Sequence, residues 1–336
     1  MSKIPSFTAR RALFAAAASL AIALAGVSSA RAADEADGYP KQPIRLVVPF
    51  VGGGVTDSAA RIVAEKLSQR LGKQVIVENR PGAGGNIGTA EVARSAPDGY
   101  TLLLAYDGTL VINPNVYEKV PFDTLKDFVS VGKIGDALLV VLVNPKLPVN
   151  NFDDLMALAK ETSGGLFYGT AGNGSTPHLA GTMLALRTGI PLHAVPYKGG
   201  SAAVVDVASG VLPMTIASVA SAMPFVEGKQ VRAIAATSAE RAPSLPDVPT
   251  LKEQGVRDYV FNSWVGLAAP AGTPQAIVNR LNAELQAVLK DPAVSERLMG
   301  LGVVATPSEP QAFYEEMKRD LQKNKEIAQA ANLKLD

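Results

Sequence analysis

From residue 44 onward, short apolar runs alternate with stretches whose apolar residues recur every three or four positions, and the whole rhythm is played twice. A chain patterned in this way builds strand-to-helix units, whose strands pair into parallel sheets covered by helices. The first series has strands at "IRLVVPF", "QVIVENR" and "TLLLAYDG", with helices beginning near Thr56 and Gly85. In the first helix Ala60, Val63, Leu67 and Leu71 form one apolar stripe, which must face a sheet. The second series starts near Asn151 and has strands at "LFYGTAG", "LHAVPYKG", "LPMTIAS" and "VRAIAATS", with helices from about Ser175, Ser201 and Ala220. It is no sequence copy of the first, so the repetition is one of architecture.

After residue 250 comes the extended run "YVFNSWVGLAAP" and then three helices. Thr273 and Pro274 look like a helix start, as do Asp291 and Pro292. Three helices are too little for a third core, so the tail is expected to return and complete the first unit. The organisation expected is α/β and two-lobed. Residues 33–138 and 263–336 form a discontinuous lobe 1, residues 139–262 form lobe 2, and strands crossing near 138 and 262 form a hinge beside a cleft.

The first residues add a destination. Lys3, Arg10 and Arg11 precede "ALFAAAASLAIALAGV", and Ala30 and Ala32 meet the small-residue rule for cleavage, so residues 1–32 read as a secretory signal peptide. "TARRALF" also fits a twin-arginine signal. No later segment reaches about 18 uninterrupted apolar residues, so a soluble mature chain is expected. Losing four basic residues and no acid moves the net charge from +1 to −3, which argues against a nucleic-acid partner. There is no cysteine and there are two histidines; disulfides and thiolate sites are excluded, and a metal centre is not expected.

Ligands of parallel α/β sheets gather at the carboxyl ends of the strands. The loops falling there are "VGGGVTD" (51–57, preceded by Phe50), "YDGT" (106–109), "GTAGNGSTPH" (169–178), "PYKGGS" (196–201) and "IASVAS" (216–221). They are rich in glycine and hydroxyls, with Lys198 their single lysine. Such loops bind an anion through backbone N–H groups, hydroxyls and helix dipoles. The candidates are Phe50, Gly53, Gly54, Thr56, Asp57, Asp107, Thr109, Gly174, Ser175, Thr176, His178, Lys198, Gly199 and Ser218. Several have plainer readings: Thr56 as a helix cap, Asp57 as a brace for the helix start, His178 as a packed or capping side chain, Trp264 as core or hinge. "RPGAGGNIG" is a partial dinucleotide fingerprint with the wrong spacing, no GK[ST] follows a glycine loop, and Ser175 with His178 lacks a nucleophile elbow. No catalytic set and no cofactor site emerges.

Several blocks, "YPKQPIRLVVPF", "VENRPGAGGNIG", "GTLVINPNVY", "VPYKGGSAAVVDVASG", "LPDVPTLKEQG" and "APAGTPQAIVNRLNAEL", occur in an order that resembles the substrate-binding proteins of tripartite tricarboxylate transporters, the Bug proteins. The resemblance implies a periplasmic binding protein of the Venus flytrap kind, type II-like. It implies a monomer that captures a small carboxylate or dicarboxylate and hands it to the transporter's membrane components. Carried over by position, the family's first loop falls on Gly53, Gly54 and Asp57, and its second-lobe pattern on Gly174, Ser175, His178, Lys198 and Gly199. Val51 and Gly52 depart from it, standing where proline or alanine is more usual. A secreted α/β enzyme and a ligand-sensing partner of a signalling system stand as alternatives.

Overall fold

The computed structural model describes residues 38–335, and the signal segment 1–32 lies outside them. The first sheet opens with three parallel strands, β1 (Ile44–Val48), β2 (Val75–Asn79) and β3 (Thr101–Tyr106), ordered β2-β1-β3. Helices α1 (Val55–Leu71) and α2 (Asn86–Ala93) make the crossovers. The predicted stripe of α1 is buried in full, with Ala60, Val63 and Leu67 each at 0% exposure. A π-helical turn (Gly108–Ile112) and α3 (Asn113–Val116) lead to β4 (Phe128–Ala137). The chain then leaves for the second sheet.

That sheet receives β5 (Leu139–Val143), then β6 (Leu166–Thr170), β7 (Leu192–Pro196), β8 (Met214–Ser218) and β9 (Arg232–Ala236). Between them lie α4 (Phe152–Glu161), α5 (Thr176–Thr188), α6 (Gly200–Ser209) and α7 (Val219–Glu227). The chain returns through β10 (Ser263–Pro270) to α8 (Gln275–Leu289), α9 (Pro292–Gly300), β11 (Val303–Ala305) and α10 (Pro310–Ala330).

The two sheets are built on one plan. Their orders are β11-β4-β10-β3-β1-β2 and β7-β6-β8-β5-β9; in each, a strand that arrives from the other sheet is inserted between the third and fourth strands of the local series. Purely parallel sheets were expected, and here the structure differs. β10 is antiparallel to β3 and β4, and β5 is antiparallel to β8 and β9. The cause is geometric: each visiting strand enters at the carboxyl ends of its hosts, Ser263 opposite Ala137 and Leu139 opposite Ser218, so it must run against them.

Both faces of each sheet carry an apolar layer. α10 joins them: Phe313 and Met317 pack with Trp264 on the first sheet, whereas Ile327 and Ala328 pack with Leu139 and Ile216 on the second. A helix of 21 residues is about 30 Å long at 1.5 Å per residue, enough to reach past one lobe. The tail therefore contributes to both cores, and Ile112 and Val116 join the core of the second sheet. Trp264 is core: it is 1% exposed, its Nε1–H donates to Asp320 at 2.8 Å, and its ring meets Phe313 edge-on at 5.0 Å.

Candidate functional site

The carboxyl ends of the two sheets face one another across a cleft of about 210 Å³. Its floor comes from the crossing strands, through Ala137, Leu139, Ser263 and Val265. Four helices bring their N-terminal ends to it: α1 through Val55 and Thr56, α5 through Thr176 and Pro177, α6 through Gly200, and α7 through Ser218 and Ser221. Tyr106, Ala171 and Leu301 complete the lining, which contains no charged side chain. A larger hollow of about 490 Å³ beside Ser130 and Gln311 draws on one lobe only. Among the described residues no group of three or more His, Asp or Glu side chains could hold a metal ion.

Three of the four helix ends lack a side-chain cap. Gly54 and Gly199 have none to give, and the Ser175 hydroxyl donates instead to the Gly172 carbonyl at 2.7 Å. Ser218 does cap α7, accepting from Ser221 N at 3.3 Å. First-turn N–H groups have no partner within their own helix and carry the positive end of its dipole. Neutral walls with converging helix ends suit an anion that is bound through backbone donors.

The sequence candidates divide into lining and support. Thr56, Thr176 and Ser218 line the cleft. Gly53 and Gly54 lead into α1, and Gly53 sits at φ +89°, a left-handed conformation that suits glycine. Asp57 does not line the cavity. Its Oδ2 accepts from Gly53 N and Arg61 Nε, and its Oδ1 from Arg61 Nη2 and Asn79 Nδ2, all at 2.9–3.0 Å. Burial pushes its pKa up, but the bonds from Arg61, Gly53 and Asn79 outweigh this and hold the carboxyl below its ordinary value. Asp57 is thus a brace for the glycine loop, and Thr56 lies inside the helix rather than at its cap.

The remaining candidates hold loops in place. His178 Nδ1 accepts from Gly174 N at 3.0 Å, and its burial lowers its pKa, so the ring is neutral. Thr109 donates to the Gly84 carbonyl at 3.0 Å. Phe50 packs edge-on against Tyr106 at 5.2 Å. Gly199 is the N-cap position of α6, and Lys198 beside it is exposed. Asp107 is buried directly behind the lining, where it accepts from Ser263 Oγ at 2.5 Å and Thr176 Oγ1 at 3.1 Å. Sequence reasoning missed Tyr106, Ser221, Ser263 and Leu301. The first three stand inside or beside quoted segments, but Leu301 follows a helix that carries no ligand-like pattern.

The chain matches the model of the tripartite tricarboxylate transporter family receptor over residues 59–333. Protein BugT of Bordetella pertussis is 38% identical over 296 residues, covering 87% of this chain and 90% of BugT. Among solved structures, a Rhodopseudomonas palustris protein with adipate is 34% identical, covers 88% of this chain and 99% of its own, and superposes with a TM-score of 0.76. MatC from the same organism, with bound malate, is 28% identical with a TM-score of 0.72, covering 86% and 99%. These relatives are solute-binding proteins and not enzymes. With a family match that spans most of its length and a two-lobed α/β fold to go with it, this chain belongs to the tripartite tricarboxylate transporter receptor family of periplasmic solute-binding proteins.

Proposed function

We propose that this protein captures a small organic carboxylate or dicarboxylate between its lobes, residues 33–138 with 263–336 and residues 139–262, and delivers it to the membrane components of a tripartite tricarboxylate transporter. The protein acts as a monomer, exported to the periplasm by residues 1–32. The observation that carries this reading is the convergence of four helix N-termini, three without a side-chain cap, on one uncharged interlobe cleft. Backbone N–H groups of the Gly54–Thr56 turn and of the α5 and α6 starts hold the carboxylate, with Thr56 and Ser218 beside them. The adipate and malate bound by two structural relatives point to the same ligand class.

Calorimetry against mono- and dicarboxylates tests the reading, with mass spectrometry of the recovered ligand. The expected result is one-to-one binding of an acid that is returned unchanged. A preference for the corresponding neutral amide would overturn it. Gly54→Leu serves as the site-directed check, because the space beyond the Gly54 Cα is open to 4 Å. The fold should tolerate the substitution, while the side chain at the mouth of the cleft weakens binding about ten-fold or more, roughly the loss of 1.4 kcal/mol. Undiminished binding by Gly54→Leu would remove the first loop from the site.

A further inference from the structure

On one wall of the cleft the hydroxyl protons of Ser263 and Thr176 are drawn to the same carboxylate. Ser263 Oγ and Thr176 Oγ1 both donate to Asp107, at 2.5 and 3.1 Å. Tyr106 Oη lies 3.4 Å from Thr176 Oγ1; since Thr176 has one proton and gives it to Asp107, Tyr106 is the donor in that pair. All three hydroxyl residues line the cavity, whereas Asp107, 3% exposed, stands behind them. An ionised carboxylate is an acceptor only, and each hydroxyl has a single proton. With Asp107 ionised, the wall therefore turns lone pairs, not protons, toward the cavity.

The cleft is consequently polarised. Donors lie at the starts of α1, α5 and α6, and acceptors lie at Thr176 and Ser263. No Lys, Arg or His side chain among the described residues is hydrogen-bonded or ion-paired to Asp107. A carboxylate oxygen placed against these lone pairs is repelled, and an alkyl chain placed there leaves the Ser263 acceptor without a partner and Thr176 with Tyr106 alone. A hydroxyl or an ammonium group satisfies them.

We propose that Asp107 sets the specificity of this cleft by fixing the Thr176 and Ser263 hydroxyls as acceptors, so that the preferred ligand is a carboxylate carrying a hydrogen-bond donor, hydroxyl or ammonium, near its acid group. The inference rests on the carboxylate reading above. Asp107 touches no ligand itself; it is a positioning residue that acts through Thr176 and Ser263. Sites built to bond a ligand hydroxyl or amine reject the analogue that lacks it, because their polar groups are then stranded.

The test is calorimetry of the whole mature protein, well above neutral pH so that Asp107 is ionised, with probes matched in length. These are succinate, malate, methoxysuccinate and aspartate, and the five-carbon set of glutarate, 2-hydroxyglutarate and glutamate, with succinamide as the neutral control. In at least one set the hydroxy or amino acid should bind about ten-fold more tightly than the plain diacid, near the value of one well-made hydrogen bond. Methoxysuccinate, which keeps the oxygen and loses the donor, should bind no better than succinate. The relative strength of malate and aspartate tells whether the donor is a hydroxyl or an ammonium.

In Asp107→Asn the carboxamide nitrogen is itself a donor, so one of the two hydroxyls must turn its proton into the cleft. The preference over the plain diacid should then fall toward unity, a change that a loss of packing alone would not produce. Ser263→Ala, which deletes one acceptor, should narrow the preference in the same way and serves if Asp107→Asn does not fold. Equal affinities within both sets overturn the donor inference and leave the carboxylate reading standing, as does a full preference kept by Asp107→Asn. Binding of succinamide in place of the acids overturns both.

Discussion

At the scale of single residues, the two aspartates of the site have opposite environments, and their titrations should oppose one another. Burial raises Asp107 to about 7 from the ordinary 3.8; the bonds from Ser263 and Thr176 pull the other way, and the charge of Asp320 adds to the rise. Asp320 is paired with Lys323 and takes the Trp264 N–H, while Tyr106, pushed up to about 12, stays neutral. A carboxyl whose folded pKa is raised holds its proton longer when folded than when unfolded. Its stabilising contribution is complete below 3.8 and is lost as the pH climbs through about 7. Asp57, held below its ordinary value, does the reverse and loses its contribution as the pH falls. Denaturant titrations across this range should therefore show a decline toward neutral pH in the parent that Asp107→Asn lacks; identical slopes would mean that Asp107 is already ionised when folded. The glycine loops were legible as candidates because five of them fall at the carboxyl ends of the strands. Which of them touch a ligand was not legible, because Asp57, Thr109, Ser175 and His178 spend their polar atoms on neighbouring backbone or side chains, a choice that depends on loop geometry rather than residue type.

At the scale of elements, the helix starts show how far local sequence reaches. Asp291 and Thr273 carry the same signal, a capping residue followed by proline. Asp291 does cap α9, its Oδ1 accepting from Ala293 N at 3.0 Å, and its other oxygen pairs with Lys66 at 3.2 Å. Thr273 instead donates to the Pro270 carbonyl at 2.7 Å, and α8 begins after Pro274 with no side-chain cap. The difference lies upstream: Thr273 closes a tight turn off the end of β10, and that turn uses its hydroxyl first. Asp291→Ala should lower the stability modestly through loss of the N-cap, with little added by the partly exposed ion pair. Unfolding by urea measures it, and an unchanged midpoint would show that α9 is held by packing alone. Strands and helices were readable because their periodicities differ and both series have buried faces. The direction of β5 and β10 was not, since an apolar run carries no sign of the end from which it enters a sheet.

At the scale of the whole molecule, the lobes approach closely at a position where glycine allows it. Gly302, just beyond Leu301 of the cleft lining, has φ +73°, and a Cβ there would stand 2.7 Å from the Ala220 Cβ and 2.9 Å from the Ala220 backbone nitrogen. Ala220 belongs to α7 on the second sheet, whereas Gly302 leads into β11 on the first. Helix backbone cannot yield as a flexible side chain does, so the added atoms must be accommodated by separating the lobes. Closure helps binding only if the ligand touches both lobes and thereby favours the closed arrangement. Gly302→Val should act as a wedge, enlarging the radius of gyration measured by small-angle scattering with ligand present and weakening affinity for a bound acid about ten-fold or more. Trp264 offers a second readout: its N–H is held by Asp320, Asp320 pairs with Lys323, and Lys323 lies 4.9 Å over the ring of Phe261 in the second lobe's core. That chain of contacts crosses between the lobes, so the emission of the single tryptophan should change on binding in the parent and change less in the wedge variant. Gly72→Ala supplies the control, because Gly72 has a similar φ of +67° with open space beyond it, and it separates backbone strain from contact. If Gly302→Val and Gly72→Ala leave scattering, emission and affinity equally unmoved, the lobes do not need this approach to hold their ligand, and the cleft works as a fixed pocket.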